Sequence, residues 1–140
     1  MSLLVVDSSV AVKWFFGEIH TNAARRALKR PVRLHAPDLL LLEADNVVCK
    51  RIRRGELTFA EGDRIRAGLR AMPVQTHSFL PLLEPGYAIA CRTGRSLYDC
   101  LYVALAELLD GRMVTADRRL YDALAAGPFA PRVLWIESLL

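Results

Sequence analysis

Short apolar runs alternate with longer helical patterns along this chain, and that alternation limits its possible folds more than any other feature. The predicted strands are the runs at 3–6, 33–36, 74–77, 112–115 and 132–136. The predicted helices cover 9–16, 20–29, 39–53, 59–71, 83–92, 97–109 and 118–125. Short strands that alternate with helices favour a parallel sheet with helices on both faces, so we predict an α/β fold. A chain of 140 residues is the size of a single domain.

Glycines follow four of the predicted helices. They are Gly55, Gly94, Gly111 and Gly127. A helix commonly ends at a left-handed residue just past its last turn, and glycine adopts that conformation without steric cost. We therefore predict left-handed helix ends at these four positions.

Two of the predicted strands lead into an aspartate. The run of Leu and Val at 3–6 ends at Asp7, and the run that ends at Thr115 is followed two residues later by Asp117. An aspartate at a helix start can simply cap the helix. Ligands of parallel sheets bind outside the carboxyl ends of the strands, and both aspartates are predicted to lie on that edge. Thr115 is expected to point toward the same edge.

Two further carboxylates lie within predicted helices. Asp99 follows Ser96 at the spacing of a capping box, which is a sufficient structural reason for its presence. Glu43 has mostly apolar neighbours, and a buried carboxylate needs a partner, a proton or a cation. Asn46, three residues on, shares its helix face and could orient it. A buried ion pair with one of the arginines is the alternative.

Together the four carboxylates predict a metal site. Three of them lie at helix starts along one sheet edge and the fourth lies inside a helix, so all four can converge in one cleft. Such a cluster repels itself, and it would hold protons or bind a hard cation. Mg²⁺ or Mn²⁺ suits carboxylate ligands, whereas zinc prefers histidine or cysteine.

The charge of the chain suggests a polyanionic partner. The formal net charge is +4, and basic residues gather at 25–30, 50–54 and 64–70. Setting the four site carboxylates aside leaves 11 of the 15 acidic residues against 19 lysines and arginines. Clustered cations attract nucleic-acid phosphates, although solvated helix faces also carry such charges.

Cysteine usage and hydropathy favour a cytoplasmic protein. The three cysteines, Cys49, Cys91 and Cys100, are odd in number and lack the spacing of a zinc site, which is typical of a reducing compartment. Acidic residues interrupt every long apolar run, so no membrane span is expected. The N-terminus also lacks the basic segment of a secretion signal.

Four motifs in this order resemble the PIN-domain ribonucleases, and most closely the VapC toxins of toxin–antitoxin pairs. They are VVDSS at the start, Pro37-x-Leu39-x-x-x-Glu43-x-x-Asn46, SLYDCLYVALA around Asp99, and TADRRL around Asp117. No single motif is specific, but the resemblance covers essentially the whole chain, so residues 1–140 are expected to form a single PIN domain.

The resemblance implies a five-stranded parallel sheet and a metal-dependent endoribonuclease. By matching motifs, Asp7, Glu43, Asp99 and Asp117 are both the catalytic residues and the metal ligands, with Asp7 and Asp99 the firmest ligands. Ser8 and Thr115 match positions that support the cluster. One or two Mg²⁺ ions, with Mn²⁺ as a substitute, would activate the water that hydrolyses an RNA phosphodiester bond.

Three other functions compete with this one. A receiver-like signalling module that is phosphorylated on aspartate shares the size and the Mg²⁺ requirement, but it would need adjacent acids after the first strand. A PIN-fold module could also bind RNA or protein without cleavage. A histidine-based ribonuclease would have to use His20, His35 and His77, which are not expected to meet at the sheet edge.

The resemblance also implies a VapB-type antitoxin that masks the RNA-cleaving site. Trp14, Phe15 and Phe16 are consecutive, so one helix face cannot bury all three, and they form the predicted contact surface for this partner. The alternative is that they pack under the helix at 20–29. A homodimer is also expected, because symmetric dimers are the commonest assembly.

Overall fold

The computed structural model describes residues 3–29 and 32–139, and its centre is one parallel sheet. The strands are β1 (Leu3–Val6), β2 (Arg33–Pro37), β3 (Val74–His77), β4 (Arg112–Thr115) and β5 (Val133–Trp135). Their order across the sheet is β3-β2-β1-β4-β5, and every neighbouring pair is parallel. The predicted α/β fold with a five-stranded parallel sheet is confirmed.

Seven α-helices connect the strands within the described ranges. They are α1 (Ser8–Ala11), α2 (Thr21–Lys29), α3 (Leu39–Arg53), α4 (Phe59–Ala71), α5 (Leu83–Thr93), α6 (Leu97–Leu108) and α7 (Arg118–Ala125). Among the residues described, no helix is both long and apolar enough to cross a membrane. Arg30, which belongs to the first basic stretch, and residues 1–2 and 140 of the predicted domain lie outside the described residues.

The observed structure differs most from the prediction at the first predicted helix. The stretch 9–16 is divided into α1 and a turn of 3-10 helix at Val12–Trp14. Residues two apart on an α-helix point about 200° away from each other, so a continuous helix could not bury both Trp14 and Phe16. Both are buried here, because the tighter turn redirects the chain after Val12.

The glycine predictions are correct at two positions and wrong at two. Gly55 (φ 74°) and Gly94 (φ 70°) are left-handed, as predicted. After α6 it is Asp110, at φ 53°, that takes the left-handed conformation in place of Gly111. Gly127 is not left-handed either. The N–H of Gly127 donates to the Leu124 carbonyl at 3.2 Å, and this hydrogen bond closes the end of α7.

The strand order opens a crevice beside β1. The chain moves from β1 outward through β2 to β3, and then crosses back to place β4 and β5 on the other side of β1. At such a reversal, the connections leave the two central strands on opposite faces, and a crevice forms at their carboxyl ends. Asp7 directly follows β1 and Asp117 follows β4, so the topology brings both to this crevice.

Candidate active site

Asp7 is a buried carboxylate with every oxygen engaged. It caps α1 through Oδ1, which accepts from the Val10 N–H at 3.1 Å. Oδ1 also accepts from Ser9 Oγ at 2.5 Å, and Oδ2 accepts from Thr115 Oγ1 at 2.6 Å. Burial raises the pKa of Asp7 to about 6, although these three hydrogen bonds oppose the rise. Asp7 is therefore a helix cap and also a carboxyl group poised between its two protonation states.

Two hydroxyl groups join the ends of β1 and β4. Thr115 Oγ1, which donates to Asp7, accepts from the Asp117 N–H at 3.0 Å. Ser9 Oγ accepts from the Ala116 N–H at 3.0 Å. Ser9 was missed by sequence reasoning, which chose Ser8. Both serines follow Asp7, and only the direction in which α1 begins determines which hydroxyl turns back to the carboxylate.

Glu43 is held by a tyrosine, not by an arginine. The hydroxyl group of Tyr102, a buried residue of α6, donates to Glu43 Oε1 at 2.5 Å. Burial raises the pKa of Glu43, the Tyr102 hydrogen bond lowers it, and the charge of Asp99 raises it further. Ser8 also contributes, since it lowers the pKa of both Glu43 and Tyr102. Asn46 is exposed and, within the described structure, makes no hydrogen bond to Glu43.

Asp99 does not complete the capping box that its spacing suggests. In the complete box of α4, the Glu61 carboxylate accepts from the Thr58 N–H at 2.9 Å, and the Glu61 N–H donates to Thr58 Oγ1 at 3.1 Å. At α6, Ser96 Oγ accepts from the Asp99 N–H at 3.1 Å, but the reciprocal bond is absent among the described residues. The Asp99 carboxylate therefore remains available for another role.

The four carboxylates influence one another across the crevice. Burial raises the pKa of Asp99, and the charge of Asp117 raises it further. Asp99 in turn raises the pKa of Asp7 and of Glu43. The positive charge of Arg95 opposes this rise and lowers the pKa of Asp99. Asp117 itself is exposed and caps α7, where its Oδ1 accepts from the Leu120 N–H at 3.2 Å.

The donor chemistry suits a divalent metal ion, although the side chains are not gathered around one. Within 3–29 and 32–139, no three histidine, cysteine or acidic side chains lie close enough to hold a metal ion as they stand. Burial first, and then repulsion between carboxylates, raises three of the pKa values, and a bound cation would offset both unfavourable effects. All-oxygen carboxylate ligands suit Mg²⁺ or Mn²⁺, so the chemistry of these residues fits such an ion.

Without metal, the free energy of unfolding is expected to fall as the pH rises from about 4 to about 6. The pKa of Asp7 is raised from 3.8 to about 6 in the folded protein, so the folded state binds more protons than the unfolded state across this window. The shift corresponds to a loss of at most about 3 kcal/mol. Urea unfolding in EDTA at several pH values measures it. Asp7→Asn should have a flatter profile, and identical profiles for variant and parent would contradict the assignment.

The aromatic residues at 14–16 are not an exposed surface. Trp14 and Phe16 are buried, and Trp14 Nε1 donates to the Ala24 carbonyl at 2.9 Å, which ties the turn to α2. The Arg51 guanidinium covers the Phe16 ring at 3.9 Å from its centroid. Phe15 is partly buried against α4, next to Gly68. Trp14 and Phe16 thus belong to the core, whereas Phe15 keeps partial exposure, and the antitoxin contact at these three residues stays a prediction.

The three histidines do not form one site. His35 Nδ1 and His77 Nε2 lie 2.8 Å apart on β2 and β3, and burial lowers the pKa of His35. His20 lies elsewhere, with Nδ1 at 2.6 Å from Glu137 Oε2. A site that uses all three histidines together is therefore not formed among the described residues.

Comparison with known proteins gives matches along most of the chain. The model of the PIN domain family matches residues 4–125, a range that contains all four carboxylates. Ribonuclease VapC3 of Pyrobaculum aerophilum is 34% identical over 125 residues, 88% of this chain and 95% of that protein. Ribonuclease VapC1 of Mycobacterium tuberculosis is 31% identical over 135 residues, 94% of this chain and 95% of that protein. The crystal structure of PAE2754 from Pyrobaculum aerophilum has a TM-score of 0.73 at 24% identity, covering 99% of this chain and 93% of that one.

Proposed function

Since this chain belongs to the PIN-domain family, we propose that it is a metal-dependent endoribonuclease, the toxin of a type II toxin–antitoxin pair. The observation that carries the proposal is the electrostatic coupling of Asp7, Glu43, Asp99 and Asp117, in which burial and a neighbouring carboxylate raise the pKa of each of the first three. The relatives named as ribonucleases cover nearly the whole chain and support the same activity.

Asp7 and Asp99 would hold the metal ion directly, and Glu43 and Asp117 would complete its surroundings. A bound Mg²⁺ or Mn²⁺ supplies a water of lowered pKa and stabilises negative charge on the phosphate. The protein holds its ligands in place through neutral groups. Ser9 and Thr115 fix both oxygens of Asp7, and Thr115 also binds the backbone at Asp117.

Glu43 is suited to take a proton from the attacking water. Tyr102 occupies Oε1, which fixes the carboxylate and leaves Oε2 to accept the proton. Burial raises the pKa of Glu43, and a more basic carboxylate is a more effective general base. Arg95, beside Asp99, places one positive charge near the crevice and favours the approach of a phosphate.

Incubation of the purified protein with a panel of RNAs tests this function. With Mg²⁺ or Mn²⁺, cleavage products should carry a 5′-phosphate and a 3′-hydroxyl, because water attacks and the 2′-hydroxyl takes no part. EDTA should stop the reaction. End-group analysis that finds a 2′,3′-cyclic phosphate would contradict water attack. Binding of RNA without cleavage would indicate a non-catalytic module, and labelling by a small phosphodonor would indicate a receiver-like module.

A protein partner should control the activity. We propose a VapB-type antitoxin whose basic side chain enters the acidic crevice, where it would replace the positive charge of the metal ion. Co-expression with the neighbouring open reading frame should give an inactive complex, and Mg²⁺-dependent cleavage should return when that partner is removed by proteolysis. A complex that still cleaves RNA at the parent rate would contradict masking of the crevice.

A second copy of the chain is the proposed occupant of an apolar groove between α3 and α6. The groove has a volume of about 610 Å³, and its exposed lining includes Leu42, Phe79, Leu97 and Tyr98. Contiguous exposed apolar residues of this kind mark protein interfaces. Asp45 and Arg70 on the wall of the groove are bonded to each other at 2.8 Å, so a second copy that covers the groove leaves neither charge without a partner.

Leu42→Lys is expected to convert the protein from a dimer into a monomer without unfolding it. Leu42 is 69% exposed in the single chain, so lysine is tolerated there, whereas a charge in the covered groove destabilises the interface. Leu108→Lys is the matched control, because Leu108 is 68% exposed but lies outside the groove. Sedimentation equilibrium measures the masses. A parent that stays monomeric at all concentrations would remove the second copy from this groove.

A further inference from the structure

We propose that Arg118, Trp135 and Tyr121 form a stacking site for one base of single-stranded RNA, next to the bond that is cut. The inference rests on the proposed ribonuclease function and adds to it a substrate-positioning site. None of these three residues belongs to the carboxylate cluster. Together these three residues are the stacking site.

The three side chains are in contact with one another. The Arg118 guanidinium lies over the Trp135 ring at 5.0 Å from its centroid and over the Tyr121 ring at 5.5 Å. The two rings are 5.8 Å apart and tilted by 54°. Both rings thus lie beside the guanidinium, and the Arg118 side chain remains 62% exposed. An exposed guanidinium plane supported by aromatic rings is a surface on which a nucleobase stacks.

The stacking site adjoins the proposed cleavage site through two connections in the chain. Trp135 ends β5 and pairs in register with Thr115, whose hydroxyl group donates to Asp7. Neighbouring strands are about 4.8 Å apart, so one strand spacing separates the backbones of Trp135 and Thr115. Arg118 directly follows Asp117 at the first position of α7. A phosphate at the carboxylates therefore places a flanking base beside Arg118.

His20 supports the stacking site from a strained position. Its backbone is left-handed, with φ 67°, and its ring meets Trp135 edge-on, with centroids 5.3 Å apart and an angle of 81°. A left-handed histidine is uncommon, and it persists where the surroundings fix it. Here the contact with Trp135 and the hydrogen bond to Glu137 hold the ring. These contacts keep Trp135 in place and restrict its motion.

Arg118 is free to respond to a ligand. Its partner is Asp122, one turn along α7, at 3.1 Å, with the Asp122 side chain 59% exposed. Pairs this exposed contribute little to stability. The pair therefore orients the guanidinium without consuming its outer face. Arg119 is exposed as well, but it makes no such ring contact in the described structure, which makes it a matched control of equal charge.

The test combines protein variants with single abasic substitutions in the RNA. A short single-stranded RNA that the parent cleaves is resynthesised with an abasic residue at each position flanking the cut, and KM and kcat are measured in Mg²⁺. One flanking position should raise the KM of the parent roughly tenfold, with kcat changing less. Arg118→Gln should raise KM by a similar factor on the intact RNA, and should show no further rise when that same base is removed.

Arg119→Gln separates stacking from general electrostatic attraction. It removes the same charge from the same turn, so it should weaken RNA binding only in a salt-dependent way and should retain the full response to the abasic position. Equal behaviour of the two glutamine variants would overturn the stacking site, and so would a parent that is insensitive to every abasic position. A parent that cleaves no RNA overturns the proposed function and the stacking site together, whereas cleavage with base-independent kinetics overturns the stacking site alone.

A second measurement guards against an indirect structural effect. Trp14 is buried, whereas Trp135 is only partly buried, so binding of RNA at the stacking site should change mainly the fluorescence of Trp135. The intact oligonucleotide should quench this emission in the parent and in Arg119→Gln, and the abasic one should quench it less. Equal quenching by both oligonucleotides would contradict base stacking.

Discussion

Asp99→Asn is expected to lower kcat for RNA cleavage by roughly a thousandfold or more, with the protein still folded. Asparagine has the same shape but lacks the negative charge that a metal ion requires at this position. The helix start is retained, since Ser96 Oγ accepts from the Asp99 backbone N–H, which the substitution keeps. Initial cleavage rates with Mg²⁺ and with Mn²⁺ measure the effect. Glu107→Gln, an exposed charge removal on the same helix, is the control and should cleave at the parent rate.

Although Asp99→Asn should lose activity, it is expected to be more stable than the parent when metal is absent. Burial and the charge of Asp117 raise the pKa of Asp99, so its ionised form destabilises the folded protein near neutral pH. In EDTA, Asp99→Asn should therefore melt at a higher temperature than the parent. Added Mg²⁺ should stabilise the parent and leave the variant unchanged. Parent-like cleavage by Asp99→Asn would show that Asp99 serves only the helix start.

Trp14→Ala is expected to lower the free energy of unfolding by about 3–5 kcal/mol. Trp14 is 5% exposed, and its indole N–H donates to the Ala24 carbonyl at 2.9 Å, so truncation leaves a cavity and an unpaired acceptor. The melting temperature should fall by on the order of 10 °C. Phe59→Ala is the control, because Phe59 is 77% exposed and its loss should change stability by less than about 0.5 kcal/mol.

Urea unfolding followed by circular dichroism tests the Trp14 prediction. If Trp14→Ala were as stable as the parent, the indole would not belong to the core between the first turn and α2. The stability of Trp14→Ala also determines whether this variant can be used to study antitoxin binding. Because truncation of Trp14 weakens the whole fold, a loss of antitoxin binding in this variant would say nothing about a direct contact.

Local patterns predict the elements that depend on local interactions. Helix α4 begins after Thr58 with a complete capping box, and its predicted and observed bounds agree. The bounds of β3 and β4 agree as well, because each is a short run closed by polar residues. The carboxylate-rich edge could also be predicted, since β1 leads directly into Asp7 and β4 ends two residues before Asp117 in an all-parallel sheet.

Contacts between distant parts of the chain explain what the sequence did not reveal. Tyr102 lies 59 residues from Glu43, and no local pattern connects them. The choice between Ser8 and Ser9 depends on the direction of α1, which is set by packing against the sheet. The burial of Trp14 likewise depends on α2, which covers it. Each of these is a tertiary contact, and the spacing of residues along one element does not encode it.

The hydrogen bond between Asp7 and Thr115 has a consequence for the timing of activity during synthesis. Its partners are 108 residues apart, so the hydrogen bond from Thr115 to Asp7 cannot form until β4 has been synthesised. Domains form their long-range contacts late, after the intervening loop is closed. In a nascent chain that ends before β4, Asp7 has no hydrogen bond from Thr115, and Asp117 has not yet been added. The carboxylate cluster of the proposed function is thus completed only after β4 and Asp117 have been synthesised, which delays cleavage by the nascent chain.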